Sequence, residues 1–321
     1  MAVDTDTFKY WAPVDPLAPN NAHAFSVQLI GHDKHVLELG CAAGHVTTAL
    51  VAQGCTVVGV EYDEHAAKTA AEIAEEVLIV DLFQADNLTK ALEDRQFDVV
   101  YCGDVLEHLP DPAGVLTAAR RALRPGGTVV ISLPNVAHVD VKLALLQGRF
   151  DYRDFGLLDA THLRFFTRAS ILGLLADAGL ELAELRRVVR PPFDTEIDLD
   201  PGSVPADVLQ AALQDPEAET YQFVVKAVPN DGNAELTLAA RRYEELDAAL
   251  GRERSDRIAL EAETVALRQR LDDVDQLVRD LHRQLTEAGE AARELEALRA
   301  TKTFRFTARL RRVYGSVTGR G

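Results

Sequence analysis

The stretch from His35 to Leu50, HVLELGCAAGHVTTAL, constrains the fold of this chain more than any other. An apolar run breaks into a glycine-bearing loop and then into an apolar-periodic segment, which predicts a buried strand, a tight loop and a helix. Gly40 and Gly44 let the backbone approach a ligand closely, and the N-terminus of the following helix adds favourable N–H groups. The loop is therefore expected to hold a ligand.

The alternation of elements predicts the architecture around that loop. Between Val36 and Val228, short β-rich runs alternate with helical patterns, so parallel strands joined by crossover helices are expected. The expected strands are His35–Leu39, Thr56–Val60, Val77–Val80, Phe97–Cys102, Thr128–Ser132, Leu180–Val189 and Tyr221–Val228. RPGG at 124–127 predicts a turn before a strand, and the proline-rich stretch 190–220 predicts an excursion between the last two strands.

Two acidic residues indicate what the loop binds. A nicotinamide-binding loop would place glycine where Ala42 and His45 stand, so that ligand fits poorly. Glu38 ends the first strand, where a carboxylate suits a cationic amino-acid group better than a pyrophosphate. Glu61 ends the second strand, where an acidic side chain takes both hydroxyls of a ribose.

Five motifs in this order resemble those of the class I S-adenosylmethionine-dependent methyltransferases. They are VLELGCAAG, VVGVEYD, VLIVDLFQ, FDVVYCGDVLEHLPDP and LRPGGTVVISLPN. The resemblance implies an α/β fold with a Rossmann-like, seven-stranded, mostly parallel sheet, an antiparallel last strand and helices on both faces. The chain departs from many members at Ala42, where they have glycine.

The same resemblance implies S-adenosylmethionine as the cofactor and a set of residues that bind it. Glu38, Gly40 and Gly44 would surround its methionine end. Glu61 would bind the ribose and Asp81 the adenine amino group. The expected cofactor-binding residues also include Cys41, Tyr62, Leu82 and Asp104.

Activation of the acceptor is expected beyond the fourth and fifth strands, at the carboxyl edge where open α/β sheets bind ligands. A hydroxyl acceptor needs a base or a metal to remove its proton. The pattern resembles O-methyltransferases of ubiquinone biosynthesis and small-RNA 2′-O-methyltransferases, which implies catalytic roles for Glu107, His108 and His162. They would act as acid–base groups or, with Asp104 as a weaker fourth, as ligands of Mg²⁺ or Mn²⁺. A metal-free base and a structural role for His108 both stay open.

The segment from Asn135 to Phe166 is expected to be a substrate lid, because a loop this long in a compact domain is usually functional. It contains QGRFDYRDFGLLD, which is aromatic and charged.

Charge and cysteine content restrict the class of protein. A net charge of −17 argues against a nucleic-acid partner. The cysteines, Cys41, Cys55 and Cys102, are odd in number and are expected to be reduced core residues. The sequence begins without a signal-peptide pattern and contains no apolar run of membrane-spanning length, so a cytoplasmic location is expected.

The C-terminal part has a different composition. Apolar residues repeat at four-then-three spacing from Leu236 to Leu295, which predicts a coiled coil over 234–300 and a homo-oligomer. A parallel arrangement is expected because three pairs of opposite charge would then face each other between the two chains: Arg242–Asp247, Glu263–Arg268 and Arg270–Asp275. The pair Asp256–Glu261 would repel.

The remaining domain boundaries are an N-terminal cap segment at 1–33, a methyltransferase domain at 34–229 and a basic amphipathic tail at 301–321. The tail suits either peripheral contact with the inner face of an anionic cell membrane or a frayed end.

The expected activity is O-methyl transfer to a glycan or glycolipid of bacterial surface-polysaccharide biosynthesis. THLRFFT and TFRFTARLRRVYG resemble segments of enzymes in those pathways. One alternative is a small-molecule O-methyltransferase of quinone or natural-product type. Another is a non-catalytic scaffold that binds S-adenosylmethionine.

Overall fold

The computed structural model describes residues 13–230, 234–302, 305–308 and 310–312. The strands are β1 (His35–Leu39), β2 (Thr56–Glu61), β3 (Glu76–Ile79), β4 (Phe97–Gly103), β5 (Leu123–Pro134), β6 (Leu180–Val189) and β7 (Thr220–Pro229). The helices are α1 (Ala22–Ile30), α2 (His45–Ala52), α3 (Glu64–Ala70), α4 (Ala85–Leu92), α5 (Pro112–Arg121), α6 (Val139–Leu146), α7 (Arg168–Asp177), α8 (Ala206–Ala212) and α9 (Ala234–Ala300). Short 3₁₀ turns lie at Leu106–His108 and Pro201–Ser203.

The seven strands form one sheet in the order β3-β2-β1-β4-β5-β7-β6. Strands β1 to β5 pair in parallel, whereas β7 is antiparallel to both β5 and β6. Helices cover both faces, and β1 shows why its sequence is a continuous apolar run. Leu37 and Leu39 lie in one core cluster, and Val36 lies in the cluster on the other face. The predicted sheet, including its antiparallel last strand, is confirmed.

Strand β5 begins earlier than the sequence predicted. Phe97 pairs with Leu123, but the next partner of β4, Val99, pairs with Thr128. The residues 124–127 are therefore accommodated as an irregularity within the paired strand, with Gly126 at a φ of 79°. The predicted turn at 124–127 is therefore a local irregularity within β5, and the strand continues on both sides of it.

The insertions around the carboxyl edge of the sheet have a small hydrophobic core of their own. Leu157 and Leu158 pack there with Ile197 and Leu199 and with residues of α6. The stretch 190–220 is an excursion as expected, but it also contains α8, which was not predicted. An isolated bridge between Asn135 and Phe166 joins the two ends of the expected lid. The lid is thus packed against a second insertion.

The chain divides into two compact units, residues 1–258 and 259–321. The start of α9 belongs to the first unit. The Tyr243 hydroxyl donates to the Leu185 carbonyl (2.6 Å) and accepts from the Leu185 N–H (2.8 Å). Asp247, only 7% exposed, accepts from Arg168 and Arg187. Asp247 therefore forms its ion pairs within its own chain. The expected pairing of Asp247 with Arg242 of a second chain is wrong.

In the second unit, the described part of α9 exposes a series of leucine and valine side chains. Among the residues described, no helix combines the length and apolarity needed to cross a bilayer. The described residues leave out 1–12 of the expected cap segment and 231–233 before α9. They also leave out 303–304, 309 and 313–321 of the expected tail. Membrane contact by the tail stays a prediction.

Candidate functional site

The loop after β1 has the backbone geometry that its glycines permit. Gly40 and Gly44 have φ values of 71° and 85°. A Cβ on Gly40 would lie 2.4 Å from Cγ2 of Val105, so a side chain cannot be placed there without displacing that valine. Ala42, at the position where many family members have glycine, has a φ of 46° and adopts the left-handed region despite its methyl group.

Glu61 holds this loop in place. Its carboxylate accepts the N–H groups of Ala42, Tyr62 and Asp63, each at 2.9 Å. It thereby joins the glycine loop to the turn after β2, a role that the sequence analysis did not predict. The N–H of Cys41 donates to the Val60 carbonyl (3.1 Å), and its side chain is fully buried. Cys41 therefore shapes the loop through its backbone.

Glu38 is a buried carboxyl group at the end of β1. It is 2% exposed and accepts from the Thr47 hydroxyl at 2.6 Å. Burial raises its pKa to about 7, and the bond from Thr47 opposes that rise. A buried carboxylate is stabilised by a neighbouring cation, so this position fits the cationic amino group that the sequence analysis expected.

Three other expected cofactor residues, Tyr62, Asp81 and Leu82, follow the ends of β2 and β3. Asp81 is exposed and accepts the N–H of Phe83 at 2.9 Å. Tyr62 is 74% exposed, whereas Leu82 is buried. An exposed carboxylate and an exposed aromatic ring at the end of adjacent strands can contact a planar base.

A cavity of about 340 Å³ lies at the carboxyl edge of the sheet. Its lining residues are His23, Gly40, Ala42, His45, Gly103, Asp104, Glu107, His108, Pro134, Phe155, Gly156, Asp159, His162, Tyr221 and Gln222. The glycine loop, the segment after β4, the lid and β7 thus contribute to one cavity. Glu38, Cys41, Gly44, Glu61, Tyr62, Asp81 and Leu82 are absent from this lining.

Glu107, His108 and His162 come together on the wall of the cavity. Each offers one ligand atom, and these three atoms lie within 4.8 Å of one another. The two imidazole rings meet edge to face, with centroids 4.8 Å apart. The N–H groups of Leu163 and Arg164 donate to the Glu107 carbonyl at 2.8 and 2.9 Å, which brings the lid residue His162 to the 3₁₀ turn. The sequence could predict these residues but not this backbone link.

Two polar atoms in this cluster are buried without a hydrogen-bond partner: Oε2 of Glu107 and Nδ1 of His162. Burial first, and the negative charges of Asp104 and Asp159 second, raise the pKa of Glu107 well above its usual range. Burial, aided by His108, lowers the pKa of His162. Buried polar atoms in this state are suited to a ligand, an ion or an exchanged proton.

Hydrogen bonds to Thr161 orient the His108 ring. The Thr161 hydroxyl donates its one proton to Asp159 at 2.5 Å. The hydroxyl oxygen (3.1 Å) and the carbonyl oxygen (3.2 Å) of Thr161 can therefore only accept a hydrogen bond from Nδ1 of His108. Nδ1 then carries the proton, and Nε2 has a free lone pair for a proton or a metal. Thr161 was not identified from the sequence.

Asp104 lines the cavity but lies outside the three-residue cluster. Its carboxylate accepts from the Ser132 hydroxyl at 2.9 Å and from the side-chain amide of Gln222. Its φ of 53° is unusual for a non-glycine residue. Asp104 is thus held by β5 and β7, which does not favour it as a fourth metal ligand.

The contributions of β7 and of Glu196 to the site were not predicted from the sequence. Glu196 accepts the Leu157 N–H at 2.5 Å and the Tyr221 hydroxyl at 3.0 Å. Gly156 has a φ of 88°, and a Cβ there would lie 2.0 Å from the Glu196 carboxylate. No local pattern signals these contacts, because they join three segments that are distant in sequence.

Comparisons with known proteins identify the family of this chain. A family model described as a methyltransferase domain matches residues 14–185, more than half of the chain. The ubiquinone biosynthesis O-methyltransferase of Thiobacillus denitrificans is 33% identical over 163 residues, which cover 50% of this chain and 70% of that protein. The protein of the same name from Pseudomonas putida is 33% identical over 198 residues, covering 60% of this chain and 83% of that one.

Among solved structures, the 1,6-didemethyltoxoflavin-N1-methyltransferase of Burkholderia thailandensis has 19% identity and a TM-score of 0.44, covering 66% of this chain and 80% of that chain. The family match and the coverage of the Pseudomonas relative establish the family. The chain belongs to the class I S-adenosylmethionine-dependent methyltransferases.

Proposed function

We propose that this protein transfers a methyl group from S-adenosylmethionine to a hydroxyl group of a small molecule. The observation that carries the proposal is the position of His108 beside Glu107 and His162, in the cavity that also reaches Gly40 and Ala42 of the glycine loop. A proton acceptor and a cofactor-binding loop then share one space.

The residues around the loop fit S-adenosylmethionine. Gly40 has no room for a Cβ, and the buried carboxyl group of Glu38 would be stabilised by the cationic amino group. Glu61 and Asp81 would contact the ribose and the adenine. Glu61 retains capacity for this, since among the described residues its Oε2 accepts a single hydrogen bond, from the Ala42 N–H. When bound, S-adenosylmethionine supplies an activated methyl group, and the protein contributes position and proton removal.

His108 is the group we assign to proton removal. Its Nε2 has a free lone pair because Nδ1 donates to Thr161. Asp159 accepts the Thr161 hydroxyl proton, which leaves the hydroxyl oxygen to accept from Nδ1 and fixes that tautomer. In this tautomer Nε2 carries no proton, so it can accept one from the acceptor hydroxyl.

The same cluster also fits a divalent metal ion. A carboxylate oxygen and two imidazole nitrogens form its donor set. Oε2 of Glu107 and Nδ1 of His162 are also buried without a hydrogen-bond partner. Imidazole ligands suit Mn²⁺ and other transition ions better than Mg²⁺, which prefers oxygen. Glu107, His108 and His162 would hold the ion, which would lower the pKa of an acceptor hydroxyl.

A small-molecule acceptor is better supported than the glycan that the sequence analysis put first. Both relatives described above are named for ubiquinone biosynthesis. The cavity of about 340 Å³ lies within the range of small-molecule sites. An aromatic acceptor also suits its wall, because Phe155 and Tyr221 line the same cavity as the two histidines.

The proposal is tested with methyl-tritiated S-adenosylmethionine and two classes of acceptor. We expect label to enter a catechol, such as dihydroxybenzoate, and not a bacterial surface polysaccharide. Labelling of the polysaccharide alone would restore the glycan assignment. Binding of S-adenosylmethionine without transfer to any hydroxyl compound would contradict the proposed reaction.

A further inference from the structure

One face of α9 in the unit 259–321 carries an apolar stripe. Its members are Leu260, Leu267, Leu271, Val274, Val278, Leu281, Leu285 and Leu295. They are between 44% (Val278) and 71% (Leu285) exposed. Only Val265, Leu277 and Leu298 among the exposed large apolar residues of α9 beyond Ile258 lie off the stripe. The apolar residues are thus concentrated on one side of the helix.

The spacing of the stripe identifies the kind of surface that covers it. Its positions follow an alternation of three and four residues, interrupted at Thr264 and at the small residues Ala288 and Ala292. A repeat of 3.5 residues keeps the stripe facing another helix along its whole length, whereas a straight helix on a globular surface follows 3.6. The expected partner is therefore a helix of the same length and repeat.

We infer that the stripe from Leu260 to Leu295 pairs with the same stripe of a second copy of this chain, as a parallel two-stranded coiled coil. The coiled coil is shorter than the 234–300 expected from the sequence. Tyr243 and Asp247, at the heptad positions a and e, are bonded to their own catalytic unit. They are not available to a second chain.

Charges beside the stripe favour the parallel direction. In a parallel pair, position g of one heptad meets position e of the next heptad in the second copy. Glu263 then faces Arg268, and Arg270 faces Asp275. Both contacts join opposite charges, and each occurs twice in a symmetric dimer.

An antiparallel pair with the same overlap lacks these attractions. In the antiparallel pair, Leu281 would pack against Leu271 of the second copy. Beside the core, each e position would face an e position of the second copy, and each g position a g position. Asp275 would then face Asp275, and Arg268 would face His282. Charge pairing therefore discriminates between the two directions.

The core residues favour two strands over three or four. Isoleucine at the core positions is the pattern that shifts coiled coils to higher states, and residues 259–300 contain no isoleucine. Val278 at a is followed by Leu281 at d, the combination found in dimers, and Thr264 at a is polar.

The first experiment measures the mass of the full-length protein by light scattering. We expect twice the 35.1 kDa of one chain. Val274→Asp places an unpaired charge in the core and should raise the dissociation constant at least about 100-fold. Val265→Asp, which adds the same charge off the stripe, should leave the dimer intact. Binding of S-adenosylmethionine checks that both variants retain a folded catalytic unit.

The second experiment determines the direction of the helices by disulfide formation. The native cysteines are all buried, so the unmodified protein should not cross-link under oxidation. Leu281→Cys should form a covalent dimer by itself if the helices are parallel. Cross-linking only in a mixture of Leu271→Cys and Leu281→Cys would establish the antiparallel pair. A monomeric or trimeric full-length protein, or equal effects of Val274→Asp and Val265→Asp, would overturn the inference.

Discussion

The Tyr221 hydroxyl donates to the Glu196 carboxylate across 3.0 Å, and this bond joins two walls of the candidate active site. Tyr221 lies on β7, while the other carboxylate oxygen of Glu196 accepts the N–H of Leu157 in the lid. Phe155, Gly156 and Tyr221 line the cavity, but Glu196 does not. Glu196 therefore fixes the position of the lid from outside the cavity.

Glu196→Gln should weaken acceptor binding. The glutamine amide has one acceptor oxygen, whereas the carboxylate accepts from both the Leu157 N–H and the Tyr221 hydroxyl. One hydrogen bond to a charged group is therefore lost, which costs about 1.5 kcal/mol. We expect the KM for the acceptor to rise about tenfold while the dissociation constant of S-adenosylmethionine stays unchanged. Steady-state kinetics and calorimetry measure the two quantities.

Asp198→Asn is the matched control, because it removes the same charge from an exposed side chain two residues away. Its kinetic constants should match those of the unmodified protein. If Glu196→Gln leaves the acceptor KM unaltered, or changes it no more than Asp198→Asn does, the role of Glu196 is wrong.

His108→Ala should lower the rate of methyl transfer by about 10²–10⁴-fold, the usual contribution of a general base. Thr161→Val should have a smaller effect, since it removes the hydroxyl that orients the ring but keeps the carbonyl acceptor. Neither variant should alter cofactor affinity. Single-turnover kinetics measure the chemical step, and a His108→Ala enzyme of normal rate would exclude this residue as the base.

Glu38 should make the stability of the cofactor-free protein depend on pH. Its pKa is about 7 in the fold and 4.5 in the unfolded chain, so the native state binds the proton more tightly. The free energy of unfolding should fall as pH rises from 4.5 through 7, by about 3 kcal/mol for this group. Glu38→Gln should remove that decrease in urea titrations at pH 5 and pH 8.

Glu64→Gln, at an exposed acid on α3, should retain the pH dependence of the unmodified protein. An identical loss of stability with pH in Glu38→Gln and the unmodified chain would show that Glu38 is not the group that titrates.

The cluster of Glu107, His108 and His162 should bind Mn²⁺ more tightly than Mg²⁺. Calorimetry on the metal-free protein measures both ions directly, without an activity assay. Glu107→Gln should weaken Mn²⁺ binding at least tenfold, because it removes the charged ligand. Full activity after chelation, with no Mn²⁺ binding, would leave His108 as a metal-free base.

The sequence predicted those features that local patterns determine. The alternation of apolar runs and helical patterns predicted where the strands lie along the chain. The antiparallel last strand and the roles of Glu107, His108 and His162 were implied by the resemblance to a known family. Thr161 and Glu196 could not be found this way, because their roles depend on contacts between the lid, β7 and the 190–220 excursion. The same reason explains Asp247, whose heptad position predicted a partner chain but whose contacts are to Arg168 and Arg187.

The most direct test of the proposed reaction identifies the methylated atom. The full-length protein is incubated with S-adenosylmethionine carrying a ¹³C-methyl group and with a catechol, and the product is examined by NMR and mass spectrometry. We predict an O-methyl product formed in equal amount to S-adenosylhomocysteine, and its loss in His108→Ala with cofactor binding retained. Methylation of nitrogen or carbon, or undiminished O-methylation in His108→Ala, would contradict the account.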